Sequence, residues 1–124
     1  MAKVQLSLAA AALASLKCFA YDKASGREEE DVLTIDPGAT EGFDLESDKF
    51  NYSAAPIGDE NPKKEGNEAV VTVEADEDNE KAVVLKIRGP AGVAQEFTLK
   101  GGDKRIFSLY EGQVLDMSEG ASIV

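Results

Sequence analysis

The chain has no histidine, no tryptophan and a single cysteine, and only 6% of its residues are aromatic. Each absence removes chemistry. Without histidine there is no imidazole base, no customary zinc or iron ligand and no partner to activate a serine. The lone Cys18 cannot close an internal disulfide. The longest apolar stretch, 4–20, is too short for a membrane span of about 20 residues, and Gln5, Ser7 and Ser15 interrupt it. Paired carboxylates for glycoside hydrolysis have no aromatic-lined cleft to work in. No Gly-x-Ser-x-Gly elbow is present, and the glycines before Lys104 lack phosphate-loop spacing.

What remains is a chain of 124 residues and ordinary hydrophobic content, enough for one domain with one core. Its net charge is −11, unevenly spread. Residues 1–27 carry Lys3, Lys17, Lys23 and Arg27 against Asp22, a net of +3, so the rest carries −14. That field repels phosphate backbones and excludes nucleic acid as a direct partner of the body.

The most informative pattern occurs twice. Leu33–Leu45 (LTIDPGATEGFDL) aligns without a gap to Phe97–Leu109 (FTLKGGDKRIFSL), with threonine, glycine, phenylalanine and leucine matched. Each copy reads as strand, tight turn, strand, a β-hairpin whose turn is Pro37-Gly38 or Gly101-Gly102. Ala69–Ala75 and Lys81–Arg88 are valine-rich and β-branched, the composition of half-buried strands. Leu16–Tyr21 and Gln113–Met117 read as further strands, with a tail from Ser118. Seven or eight short strands at this spacing predict an all-β fold, a small antiparallel β-sandwich, immunoglobulin-like or jelly-roll-like. The predicted core holds Val71, Val73, Val84, Leu85, Ile87, Phe97, Leu99, Phe107 and Leu109. Phe19, Tyr21, Phe43 and Tyr110 also fall on strands or their ends, where core is the default.

Two segments are less regular. Residues 1–20 are apolar and Ala-rich, an N-terminal arm or first element, with residues 21–124 as the sandwich domain. Val4, Leu6 and Leu8 alternate as in a strand, whereas Leu6, Ala9, Leu13 and Leu16 fall on a helical stripe. An extended start, a short helix or turn over the alanines and then a strand over Leu16–Tyr21 reconciles the two. Residues 46–68 are polar and read as a long loop with one short strand around Phe50–Tyr52. The acidic clusters Glu28–Asp31 and Asp76–Glu80 are read as charged turns. The second lacks the glycine and glutamate of a calcium loop, and charged tips guard sheet edges. Neither a metal nor any other cofactor is expected. Cys18 is read as a small strand residue.

The repeated unit is similar to hairpins of immunoglobulin-like modules. Together with Val83–Gly92 (VVLKIRGPAG) and Phe107–Gln113 (FSLYEGQ), the last 55 residues resemble small decoration or cement proteins of tailed-phage capsids. That resemblance implies a compact β-domain binding the outer shell in many copies, and it carries no site residues. The expected function is therefore that of a non-enzymatic structural protein of a viral particle. Its expected partners are the major capsid protein and its own copies, with no membrane, in a virion assembled in the host cytoplasm. The alternative is an exported cell-surface or secretion-system module with residues 1–20 as export signal. Val4, Leu6, Leu8, Leu13 and Leu16 are the expected partner-binding surface, with Phe50 and Tyr52 in the polar loop as further anchors or as caps of the sandwich.

Overall fold

A computed structural model describes residues 2–12, 15–26, 33–46, 49–57, 69–89, 92–110 and 112–122. They form ten strands: β1 (Ala2–Leu8), β2 (Ser15–Asp22), β3 (Leu33–Ile35), β4 (Thr40–Leu45), β5 (Phe50–Ile57), β6 (Ala69–Ala75), β7 (Lys81–Gly89), β8 (Gly92–Leu99), β9 (Lys104–Leu109) and β10 (Val114–Ser122). A four-stranded sheet, β4-β1-β6-β9, packs against a six-stranded one, β3-β2-β5-β10-β7-β8. All pairings are antiparallel, and the fold is the expected small β-sandwich.

Alternation along each strand explains the core. In β6 the pattern buries Ala69, Val71, Val73 and Ala75 and leaves the residues between them half-exposed. In β7 it buries Val83, Leu85 and Ile87, which turns Val84 outward. The expectation that Val84 and Leu85 are both core fails, because neighbours in a strand point to opposite faces. Phe97 is only partly buried and packs on the core from its margin.

The repeated 13-residue units are not hairpins. β3 pairs with β2 and β4 with β1, so the first unit starts in one sheet and ends in the other. The second does the same, β8 pairing with β7 and β9 with β6. Pro37-Gly38 and Gly101-Gly102 are thus corners joining the sheets at opposite sides of the sandwich. Gly38 and Gly102 occupy the left-handed region, with φ of 85° and 87°.

The duplication runs through the entire fold. Strands β1–β5 and β6–β10 are paired identically: first with fourth, second with third, second with fifth. The register repeats too. Val4 opposite Phe43 becomes Val71 opposite Phe107, and Leu16 opposite Ile35 becomes Val83 opposite Leu99. Cys18 opposite Ala54 becomes Leu85 opposite Met117. The halves meet at the β1–β6 and β5–β10 pairs, so an approximate two-fold axis runs through both sheets.

Backbone hydrogen bonds outside the ladders obey the same symmetry. Gly38 N–H donates to Leu8 O (2.8 Å), as Gly102 N–H does to Ala75 O (2.9 Å). Ala9 N–H donates to Val70 O (3.0 Å), as Asp76 N–H does to Lys3 O (3.1 Å). The alanine turn Ala9–Ala12 is therefore the counterpart of Asp76–Asn79, each closed by a bond from its fourth residue to its first.

Two further expectations are corrected. The polar stretch 46–68 contains an eight-residue central strand, β5, rather than a short one; residues 58–68 of the expected loop lie outside the described residues. The expected tail from Ser118 is instead the end of β10. The turn Glu28–Asp31 lies outside the described residues.

Candidate docking surfaces

Val4, Leu6, Leu8 and Leu16 do not offer a surface to a partner. Each is at most 2% exposed and points between the sheets. β1 is flanked by β4 and β6, so it is a central strand and the first element of the domain rather than a detachable arm. Leu13 lies outside the described residues. Tyr52 is buried, and its hydroxyl accepts a hydrogen bond from Glu46 N–H at 2.8 Å. Burial raises the Tyr52 pKa above its ordinary value. Phe50 packs partly buried against the core and edge-on to Tyr52, with ring centroids 6.2 Å apart. Both aromatics serve the sandwich itself.

Cys18 is buried on the inner face of β2, and desolvation pushes its thiol up to about 12. A thiol held neutral in this way is a packing residue rather than a nucleophile. Phe107 and Phe97 stack at 6.0 Å where the sandwich opens between β8 and β9, and the Arg105 guanidinium lies 4.4 Å from the Phe97 centroid. Phe19, Tyr21 and Tyr110 are not core. Phe19 and Tyr21 stand half-exposed on the outer face of β2, and Tyr110 is exposed just past β9. The Phe43 side chain lies outside the described residues.

The outer face of the four-stranded sheet is chemically polarised. At one end Lys3, Asp44, Glu74 and the turn Asp76–Asp78 surround a depression of about 600 Å³ floored by Gly42. The turn is held by its own side chains. Asp76 Oδ1 accepts from Asp78 N–H (2.8 Å). Asn79 grips the start of β1 twice, Oδ1 accepting from Lys3 N–H (2.8 Å) and Nδ2 donating to Lys3 O (2.9 Å).

At the other end no outward residue in two successive cross-strand rows is charged. Register places Thr40, Ser7, Thr72 and Ile106 in one row, and Ala9, Val70 and Ser108 in the next. Ser7 and Thr40 share a hydroxyl–hydroxyl hydrogen bond of 2.8 Å, which satisfies both groups within the face. Three large apolar side chains stand exposed among the described residues: Val93, Ile106 and Tyr110. Ile106, at 65% exposure, stands within this area, and Tyr110, at 55%, borders it. Sequence reasoning missed this surface. It is assembled from four strands, and only the pairing register brings its members together.

The fold and surfaces define an all-β, antiparallel two-sheet domain with internal five-strand duplication. No family model matches the chain, and no curated protein matches it either.

Proposed function

We propose that the chain is a non-enzymatic structural subunit of a viral particle, a decoration or cement protein. It binds the major capsid protein through the uncharged half of the four-stranded sheet's outer face, and the acidic turn Asp76–Glu80 faces solvent. One observation carries this reading. In a protein of net charge −11, large apolar side chains stand exposed on a face without outward charge, at the end opposite the acidic turn. Apolar burial is favourable there without the desolvation of a charge. Elsewhere like charge keeps copies apart and the protein soluble.

The size of the surface fits many weak contacts. Four strands about 4.8 Å apart and two rows about 7 Å apart cover a few hundred square ångströms. A stable pairwise interface buries roughly 800 Å² per partner. A subunit seated where shell proteins meet reaches that area by contacting more than one of them.

The test is co-sedimentation of the purified protein with particles from its native source. Wild type is expected to pellet with the particles, and Ile106→Asp and Tyr110→Asp to stay in the supernatant with unchanged melting temperatures. No pelleting of wild type, or equal pelleting of the variants, overturns the proposal.

A further inference from the structure

The second outer face, on the six-stranded sheet, carries a groove of about 500 Å³. Phe19 and Tyr21 on β2 form one wall, and Lys86 and Arg88 on β7 the other. The floor is made by β5 and β10, whose outward side chains there are short, among them Ser53, Ala55 and Ser118. Register places Phe19, Ser53, Asp116 and Lys86 in a single row across the four strands.

The groove straddles the two-fold junction, and its walls are equivalent positions in the two halves. Phe19 corresponds to Lys86 and Tyr21 to Arg88 by the register that equates Cys18 with Leu85. Ser53 corresponds likewise to Asp116. A symmetric backbone thus carries an aromatic wall facing a cationic one.

The polar groups are fixed in place. Arg88 Nε donates to Asp116 Oδ2 (2.9 Å) and Nη2 to Oδ1 (3.3 Å). Ser53, itself buried, donates its hydroxyl to Asp116 Oδ1 (2.8 Å). That carboxylate raises the Arg88 pKa further above its ordinary value. Lys17 lies 5.6 Å from the Phe19 centroid, and Lys86 stands opposite Glu96 on β8.

We propose that this groove binds a pyranose oligosaccharide, an inference independent of the capsid-docking face. Three features select this occupant over others. Walls three strand spacings apart, about 14 Å between backbones, are narrowed by their own side chains to a width that suits one extended chain better than a helix about 10–12 Å across. The charges of Lys17, Lys86 and Arg88 against Asp116 and Glu96 nearly cancel, so there is no field to hold a polyphosphate backbone. The floor strands β5 and β10 are paired on both sides beneath the groove, so a peptide lying in it would find no edge on which to add a strand. A sugar needs neither field nor edge. Its C–H face packs on the rings of Phe19 and Tyr21, and its hydroxyls meet the Arg88–Asp116 pair, which sets donors and acceptors side by side. The groove volume falls within the range of small-ligand sites, about 300–1,000 Å³.

The test is a printed array of defined neutral and uronate-bearing oligosaccharides, followed by calorimetry with whichever sugar is retained. Wild type is expected to bind at least one. Phe19→Ala and Tyr21→Ala are each expected to weaken binding tenfold or more, and Ala55→Tyr, which fills the floor, to abolish it. Thermal melting of each variant confirms that it is folded; if an alanine variant does not fold, Tyr21→Ser is measured in its place. Retention of no sugar at millimolar concentration overturns the proposal. So does equal affinity in folded variants, or binding of single-stranded DNA or a peptide in place of sugar.

Discussion

The two five-strand halves share register, corners and the hydrogen bonds of their turns, yet differ in much of their side-chain chemistry. On the inner face the first half places Cys18, Ala20 and Ala54 where the second has Leu85, Ile87 and Met117. Large residues of one half therefore fill the space that small residues of the other leave, and all six are buried. A backbone plan fixes where side chains point, and total volume rather than identity must be matched for a close-packed interior. At the turns the contrast is in charge, alanines 9–12 against Asp76–Asn79. The halves are alike in backbone geometry and differ in side-chain size on the inner face and in charge at the turns.

The largest test of equivalence is in the core. Leu6 in β1 and Val73 in β6 are both fully buried at matching positions. Leu6→Ala is expected to cost about 3–5 kcal/mol by urea unfolding. Val73→Ala removes less and should cost about 2 kcal/mol at roughly 0.8 kcal/mol per methyl plus a cavity contribution. If Leu6→Ala left the unfolding midpoint unchanged, β1 would be dispensable and the halves would not be structural equals.

Titration separates the halves next. Cys18 ionises, whereas its counterpart Leu85 cannot. The folded thiol keeps its proton to about 12, whereas an unfolded one loses it near 9.0. Between those values the unfolded state holds fewer protons than the native state, so stability falls as pH rises. Three units at about 1.4 kcal/mol each bound the loss at about 4 kcal/mol by pH 12. Tyr52, also raised, adds to the decline in the same direction above pH 10. Cys18→Ala should show a shallower alkaline slope than wild type in denaturant melts at pH 8–12. Identical slopes would mean that the thiol titrates normally.

Much of this fold was legible in the sequence, for a physical reason. β-branched alternation in residues 69–75 and 81–88, and glycines at corners requiring positive φ, are local signals that survive any tertiary context. The repeat Leu33–Leu45 and Phe97–Leu109 was visible because Thr34/Thr98, Gly38/Gly102, Phe43/Phe107 and Leu45/Leu109 are identical. What it meant was not legible. A hairpin and a corner crossing between sheets share one local pattern and differ only in which distant strands they pair with. The rest of the duplication was hidden because core positions keep burial without keeping residue identity. β5 was obscured by Asn51, Ser53 and Pro56, which suit a polar outer face and a strand end. The concentrated apolar residues of β1 suggested an attachment arm, although their alternation with Gln5 and Ser7 already matched a strand inside a sheet. The docking face and the groove needed register, which one sequence does not supply.

The two turns offer a smaller comparison. Asn79 makes two hydrogen bonds to the Lys3 backbone, and its counterpart Ala12 has no side chain to do so. Asn79→Ala should therefore cost about 1–2 kcal/mol, the net worth of two solvent-accessible hydrogen bonds. Hydrogen exchange should report it locally, as faster exchange of the Lys3 amide with little change at Val70. Uniform acceleration across both halves would show that the staple is not local to one end.

The smallest effects belong to the corners. Gly38 and Gly102 sit at nearly the same positive φ, and an added Cβ would meet only ordinary neighbours, Ala10 Cβ at 3.6 Å or Glu77 Cγ at 3.8 Å. Each alanine substitution should then carry the backbone penalty alone, about 1–2 kcal/mol, and the two values should agree within about 0.5 kcal/mol. The preceding residue breaks the symmetry. Pro37 fills its place in the first corner, whereas a Cβ on Gly101 would lie 2.7 Å from Glu77 O and 3.1 Å from Asp76 O. The acidic corner is thus closed more tightly than its alanine counterpart, and only glycine fits there without a backbone shift. Gly101→Ala should therefore cost more than Gly102→Ala, although Gly101 has no positive φ to lose. If instead Gly101→Ala proved the milder of the pair, the two corners would have the same spacing, and their difference would lie in charge alone.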